Sequence, residues 1–145
     1  MSTTANPSPS RVRIYWSLWF AVVVLALLLK FTVFLRADPD TLFALGCTYA
    51  IGTWLAVMAL NLAEGHRLYS YVEEHHPQKW KWLTEVPFLG SGFYNVPRIL
   101  RWLFSTDEFE DPEVTWKKAE YRRFLKWALT VLFHYVVLLP VLLGP

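Results

Sequence analysis

The chain has 145 residues, of which 54% are hydrophobic and 17% aromatic, including eight tryptophans, and its formal net charge is +2. A chain this short holds one unit rather than several domains. A charge this small, with no basic face interleaved with aromatics away from the apolar runs, excludes nucleic acid as a partner.

Three apolar runs, residues 14–35, 42–62 and 124–143, fill nearly half the length. Each matches the roughly 20 residues needed to cross the hydrocarbon core of a bilayer. A water-soluble unit of this size has no interior for three such helices. The predicted fold class is therefore an all-α integral membrane protein: three transmembrane helices with a helical, partly interfacial cytoplasmic loop.

Residues 1–13 read as a polar N-terminal tail ending in Arg11 and Arg13, expected to be disordered. The first run, 14–35, exceeds the usual h-region of about 7–15 residues in a secretory signal. Its exit, Leu35-Arg36-Ala37, lacks small residues at both cleavage positions, so an uncleaved anchor is expected. Tyr15, Trp16 and Trp19 supply an aromatic belt at its start. Lys30, near its end, is expected to snorkel to the headgroups along its aliphatic stem.

Asp38-Pro39-Asp40-Thr41 is a short turn with an N-cap and acids at a helix start. So brief a connection makes residues 14–62 an antiparallel transmembrane hairpin of 14–35 and 42–62. The second run carries no charge from Thr41 to Ala63, and Cys47, the only cysteine, falls within it as a small hydrophobe. With one cysteine there is no intrachain disulfide. Thr48, Gly52, Ala56 and Ala59 share a helix face, with Gly46 and Ala50 beside it, and small residues let helices approach closely in lipid. This stripe is the expected packing seam against the first or third run.

Residues 63–123 form the loop, too short for a well-buried core of its own and too aromatic to be disordered. From Glu64 to His76 the second helix is expected to continue, with Leu68, Tyr69 and Val72 as its apolar stripe and Pro77 as its stop. Residues 78–86 read as a short helix. Residues 87–92 form a turn whose glycines have the wrong spacing for a phosphate loop. Residues 98–104 are amphipathic, with Ile99, Leu100, Leu103 and Phe104 on one side, which suits a helix lying at the interface. Trp80, Trp82, Arg98, Arg101, Trp102, Arg122 and Arg123 are the expected membrane-interface residues. Asp111-Pro112-Glu113 has the N-cap, N1 proline and early carboxylate of a helix start, and Glu113 and Lys117 are correctly oriented for an i,i+4 pair. One helix therefore runs from Pro112 through the third transmembrane segment, 124–145.

Orientation follows from lysine and arginine. With the N-terminus in and the C-terminus out, twelve positive residues lie inside and only Lys30 and Arg36 outside. The tail and the loop are thus expected to face the cytoplasm.

Four histidines are the candidates for chemistry. His66, His75 and His76, with Glu73 and Glu74, are the densest set of potential ligands. Adjacent helical residues diverge by about 100°, no H-E-x-x-H or paired-cysteine pattern exists, and a solvated helix end is the simpler reading. The acids of 107–111 read as a helix-start patch facing the basic residues rather than as an ion site. His134 lies inside the third run, where a neutral imidazole bonded to a neighbouring helix suffices. No catalytic residue, cofactor or metal is expected.

From the second run onward the chain resembles the universal stress protein B family of small bacterial membrane proteins. The resemblance rests on Leu68-Tyr69-x-Tyr71-Val72, the basic and aromatic stretch from Arg98 to Trp102, Asp107-Glu108-Phe109, and Arg122-Arg123-Phe124-Leu125. It covers about half the chain, which departs by an added N-terminal crossing and an aromatic insert at 78–97. It implies a bacterial inner membrane and a stress-associated role, with no catalytic residues to carry over. The expected function is non-catalytic, through a membrane-protein partner or homo-oligomer in the lipid bilayer. The alternatives are a metal-binding membrane enzyme, or a small transporter subunit in which His134 and Lys30 border a polar path.

Overall fold

The computed structural model describes residues 10–86 and 95–143, and all regular elements among them are helices. They are α1 (Val12–Thr32), α2 (Pro39–His75), α3 (Pro77–Thr84), α4 (Val96–Leu103) and α5 (Pro112–Leu143). Three of them, α1, α2 and α5, are long and apolar enough to cross a membrane. The tail residues 1–9 and the expected turn at 87–92 lie outside the described residues.

Local chemistry sets the helix ends. Asp38 caps α2, its Oδ1 accepting from the Thr41 backbone N–H at 2.9 Å and its Oδ2 from the Thr41 hydroxyl at 2.7 Å. The helix then runs 37 residues, about 56 Å at a rise of about 1.5 Å per residue. It stops at Pro77, because proline disfavours helical backbone in the residue before it, and His76 sits at φ −133°. Pro77 becomes the first residue of α3. Asp111 caps α5 as expected, accepting from the Glu113 N–H at 2.8 Å, and Lys117 meets Glu113 at 3.2 Å.

The chain divides into two compact units: residues 1–56 with 127–145, and residues 57–126. In the first, Ala26 of α1 and Leu138 of α5 form a small core with Val23, Leu27 and Tyr49. The Tyr49 hydroxyl meets His134 Nε2 at 2.6 Å, and the Tyr135 hydroxyl donates to the Ala50 carbonyl at 3.2 Å. The face of α2 turned to α5 thus carries Tyr49 and Ala50. Thr48, Gly52, Ala56 and Ala59 are exposed instead, and a Cβ at Gly52 would meet nothing within 4 Å. The expected intrachain seam is therefore not the small stripe. Cross-helix hydrogen bonds fix the rotation of α2, and the stripe is left on its outer side. Lys30 also departs from expectation: at 3% exposure it is buried rather than extended to the outside.

The second unit holds more core than its length suggested, because the long helices α2 and α5 lend their ends to it. Leu68, Val72, Leu83, Leu103, Val114 and Phe124 are all essentially inaccessible. Such side chains contribute about 1.5–3 kcal/mol each when fully buried.

Candidate functional site

Two short helices carry the site, and cations cap both of them. In α4, Asn95 is the N-cap, its side chain accepting from the Arg98 N–H at 3.2 Å, while its amide donates to the Glu85 carbonyl at 3.1 Å. Arg98 donates to the Trp82 carbonyl at 2.5 Å and lies 5.2 Å from the Trp82 ring. A guanidinium thus closes the C-terminal end of α3, where the helix dipole favours positive charge.

The C-terminal end of α4 is closed from α5. Arg122 donates to the Leu103 carbonyl at 2.5 Å and to the Ser105 carbonyl at 2.7 Å. Lys118, one turn earlier on the same face, donates to the Asp107 carbonyl at 2.7 Å and the Ser105 carbonyl at 3.3 Å. Its ammonium stands 4.6 Å from the Trp102 ring. Lys118 is 0% exposed, and burial, with Arg122 beside it, pushes its ammonium down to about 8.

Trp102 is itself 2% exposed and stacks on Phe109 with centroids 5.3 Å apart. Phe109 and Glu110 hold left-handed backbone at φ 55° and 56°, which costs about 1–2 kcal/mol per non-glycine residue. The Asp107 carboxylate accepts from the Phe109 N–H at 3.2 Å and the Glu108 carbonyl from the Asp111 N–H at 3.0 Å, so local bonds hold the turn.

Beside this turn is a polar cavity of about 600 Å³ lined by His76, Lys79, Thr106 and residues 107–110. His76 Nε2 donates to Asp111 Oδ2 at 2.8 Å, and the Tyr71 hydroxyl donates to the same oxygen at 3.1 Å. The His76 bond foremost, then the capped backbone, holds the Asp111 carboxyl below its ordinary value. A carboxylate can orient an imidazole for base catalysis, but that chemistry needs a nucleophile within reach. Among the described residues no hydroxyl or thiol is hydrogen-bonded to His76. The dyad instead ties the end of α2 to the start of α5.

The other histidines are scattered. His75 stacks on Tyr71 at 4.1 Å, His66 bonds the Ser70 hydroxyl at 3.1 Å, and His134 lies in the other unit. Among the described residues no group of three or more His, Cys, Asp or Glu is placed to hold a metal ion. His134 contacts the Val131 carbonyl of its own helix through Nδ1. With Nδ1 protonated, Nε2 is left to accept the Tyr49 hydroxyl, so the imidazole is satisfied while neutral.

No family model, curated protein or solved structure matches the chain.

The expected interface residues separate into two groups. Trp82, Arg101 and Arg123 are exposed, and Trp80 and Arg98 are half-buried. Trp102 is not an interface residue, because its ring fills the space between α4 and the 107–110 turn. Arg122 is spent on backbone carbonyls. Of the apolar residues assigned to one side of α4, Ile99 and Leu103 are buried whereas Leu100 and Phe104 are exposed. Sequence reasoning missed Lys118 altogether. Its only signal was spacing: Lys118 and Arg122 stand four apart on α5, behind a tryptophan and an acidic turn.

The remaining feature is an apolar groove of about 850 Å³ flanked by α2, α4 and the start of α5's apolar run. At its edge the Tyr121 hydroxyl donates to Asn61 Oδ1 at 3.0 Å.

Proposed function

We propose that the chain is a small non-catalytic protein of the bacterial inner membrane that works by association with another membrane protein or with its own copies. Its N-terminal tail and residues 63–123 face the cytoplasm, an orientation supported by the distribution of arginine and lysine. The observation that carries this reading is the outer face of α2. Thr48, Gly52, Ala56 and Ala59 are exposed while Tyr49 and Ala50 of the same helix are engaged with α5. In lipid there is no hydrophobic drive between helices, so close approach over small residues is what makes a pair stable.

The juxtamembrane chemistry supports the same reading. Lys118, Arg122, His76 and Asp111 each spend their polar groups on holding the unit together. A stress-associated role follows from the family resemblance of Leu68-Tyr69-x-Tyr71-Val72 and Asp107-Glu108-Phe109. Crosslinking in native membranes from single cysteines at Ala56 and Ala59, with Cys47 replaced by serine, tests the proposal. A discrete adduct lost in Gly52→Leu supports association through this face. Monomer alone, unchanged by Gly52→Leu, removes it.

A further inference from the structure

Helix α4 has two apolar faces, and the chain buries one of them. Ile99, Trp102 and Leu103 form the buried face. Val96, Leu100 and the C-capping Phe104 follow one another at intervals of four, so they share a second face. They remain 56%, 46% and 62% exposed. Polar side chains do not offset that face. The Arg98 guanidinium is turned onto the carbonyls of Trp82 and Glu85, which leaves Arg101 as the exposed charge of the helix. A helix that is apolar nearly all round needs an apolar covering on both faces.

The residues beside the exposed face say what that covering is. Val96 and Leu100 line one groove together with Leu62 and Ala63 of α2 and Leu125 of α5. Leu62 is the last residue of the 42–62 run and is itself exposed, and Leu125 is the second residue of the 124–143 run. Both runs belong to helices long and apolar enough to cross a membrane. Along α2 the groove extends no further than Tyr69, about 10 Å past Leu62 at a rise of about 1.5 Å per residue. The outer face of α4 therefore continues the apolar surface of the two runs at the level where they end.

We propose that α4 is an interfacial helix of the cytoplasmic leaflet, with its Val96, Leu100 and Phe104 face set among lipid acyl chains near their ester ends. This rests on the membrane-crossing reading above. The Ile99, Trp102 and Leu103 face ties the helix to the rest of its unit. Interfacial helices bury their apolar face about 5–10 Å into the boundary between headgroups and acyl chains, which suits a helix standing beside the ends of two crossing runs.

The partner is the lipid phase rather than one bound molecule. The three side chains present hydrocarbon alone, with no donor or acceptor to select a headgroup. A protein seated on α4 would also have to displace lipid from Leu62 and Leu125, which share the groove.

The test uses the full chain in phosphatidylcholine nanodiscs, with an environment-sensitive fluorophore on single cysteines in a Cys47→Ser background. Val96→Cys, Leu100→Cys and Phe104→Cys place the label at three exposed positions of α4, where it does not enter the core. Phe133→Cys, exposed in the third apolar run, reports the membrane, and Glu74→Cys, exposed on α2 well beyond Leu62, reports water. Phosphatidylcholine carrying a nitroxide near the ester end or the methyl end of its acyl chain quenches from lipid, and iodide quenches from water. The three α4 labels are expected to lose more fluorescence to the ester-end nitroxide than to the methyl-end one. They are also expected to resist iodide and to emit to the blue of Glu74→Cys. Iodide quenching as strong as at Glu74→Cys overturns the proposal. Protection from both quenchers also overturns it, since protein then covers the face. Phe133→Cys separates the two possible failures. Lipid quenching there without lipid quenching on α4 removes only the placement of α4, whereas iodide quenching at Phe133→Cys removes the membrane reading with it.

Discussion

Lys118→Met isolates the buried ammonium that reaches the carbonyls of Ser105 and Asp107. Methionine keeps most of the aliphatic stem and removes the charge and both hydrogen bonds to carbonyls. Because the folded-state value lies near 8 against an ordinary 10.5, folded Lys118 releases its proton earlier than the unfolded chain does. Between those values the unfolded state binds more protons, so stability rises with pH. Below the folded value the burial penalty is complete and flat. At about 1.4 kcal/mol per unit the full relief is near 3 kcal/mol, and screening reduces it to about 2 kcal/mol. At neutral pH the lost carbonyl bonds, about 1.5–3 kcal/mol, and the lost ring contact, about 1 kcal/mol, outweigh the relieved desolvation. Lys118→Met is therefore expected to be less stable than wild type by about 1–2 kcal/mol at pH 7. Thermal unfolding in detergent from pH 7 to 10 checks this. Wild type is expected to gain stability above about pH 8 relative to Lys118→Met, and the difference between them is the readout. Parallel profiles across that range would refute a charged, buried Lys118.

Three further outcomes follow from the same geometry. Trp102→Ala opens a cavity between α4 and the 107–110 turn and is expected to lower stability by about 3–5 kcal/mol, whereas Trp82→Ala, on the exposed side of α3, stays within about 0.5 kcal/mol; chemical denaturation in mixed micelles separates them. Asp111→Asn keeps a good N-cap but loses the charge that His76 and Tyr71 address. The Asp111 carboxyl lies below its ordinary value, so its contribution is intact above the usual carboxylate range and fades as pH falls through its folded value. The acid limb of a stability–pH curve is therefore expected to flatten in Asp111→Asn. A double-mutant cycle of Tyr49→Phe with His134→Leu is expected to give a coupling of about 0.5–2 kcal/mol by steric-trap or detergent unfolding, the range of hydrogen bonds between membrane helices; zero coupling removes that bond.

Local rules made much of this architecture readable. Asp38, Pro77 and Asp111-Pro112 mark helix ends because capping and proline sterics act over three or four residues, and the structure places the ends there. What needed tertiary information was which side of a helix faces in. In α4, Val96, Ile99, Leu100, Trp102, Leu103 and Phe104 surround most of the helix. Trp102 is buried against Phe109, held in a turn with two left-handed residues that no local pattern announces, and Ile99 and Leu103 are buried with it. In α2, small residues occur on more than one face. Composition marks Thr48, Gly52 and Ala56 as able to pack closely, but the Tyr49–His134 and Tyr135–Ala50 bonds decide which face meets α5. Burial of Lys118 was hidden for a similar reason. A lysine beside an acidic turn reads as a surface ion pair, and only the fold reveals carbonyls rather than carboxylates as its partners.

Sided labelling in sealed membrane vesicles tests the central claim most directly, since the proposed cytoplasmic placement of residues 63–123 and the proposed association face both depend on three crossings. Single cysteines replace Arg36 between α1 and α2, and Glu85 after α3, in a Cys47→Ser background, and a membrane-impermeant maleimide is applied. In right-side-out vesicles Arg36→Cys is expected to label and Glu85→Cys to remain protected until the vesicles are opened or inverted. Labelling of both positions from one side would contradict the account.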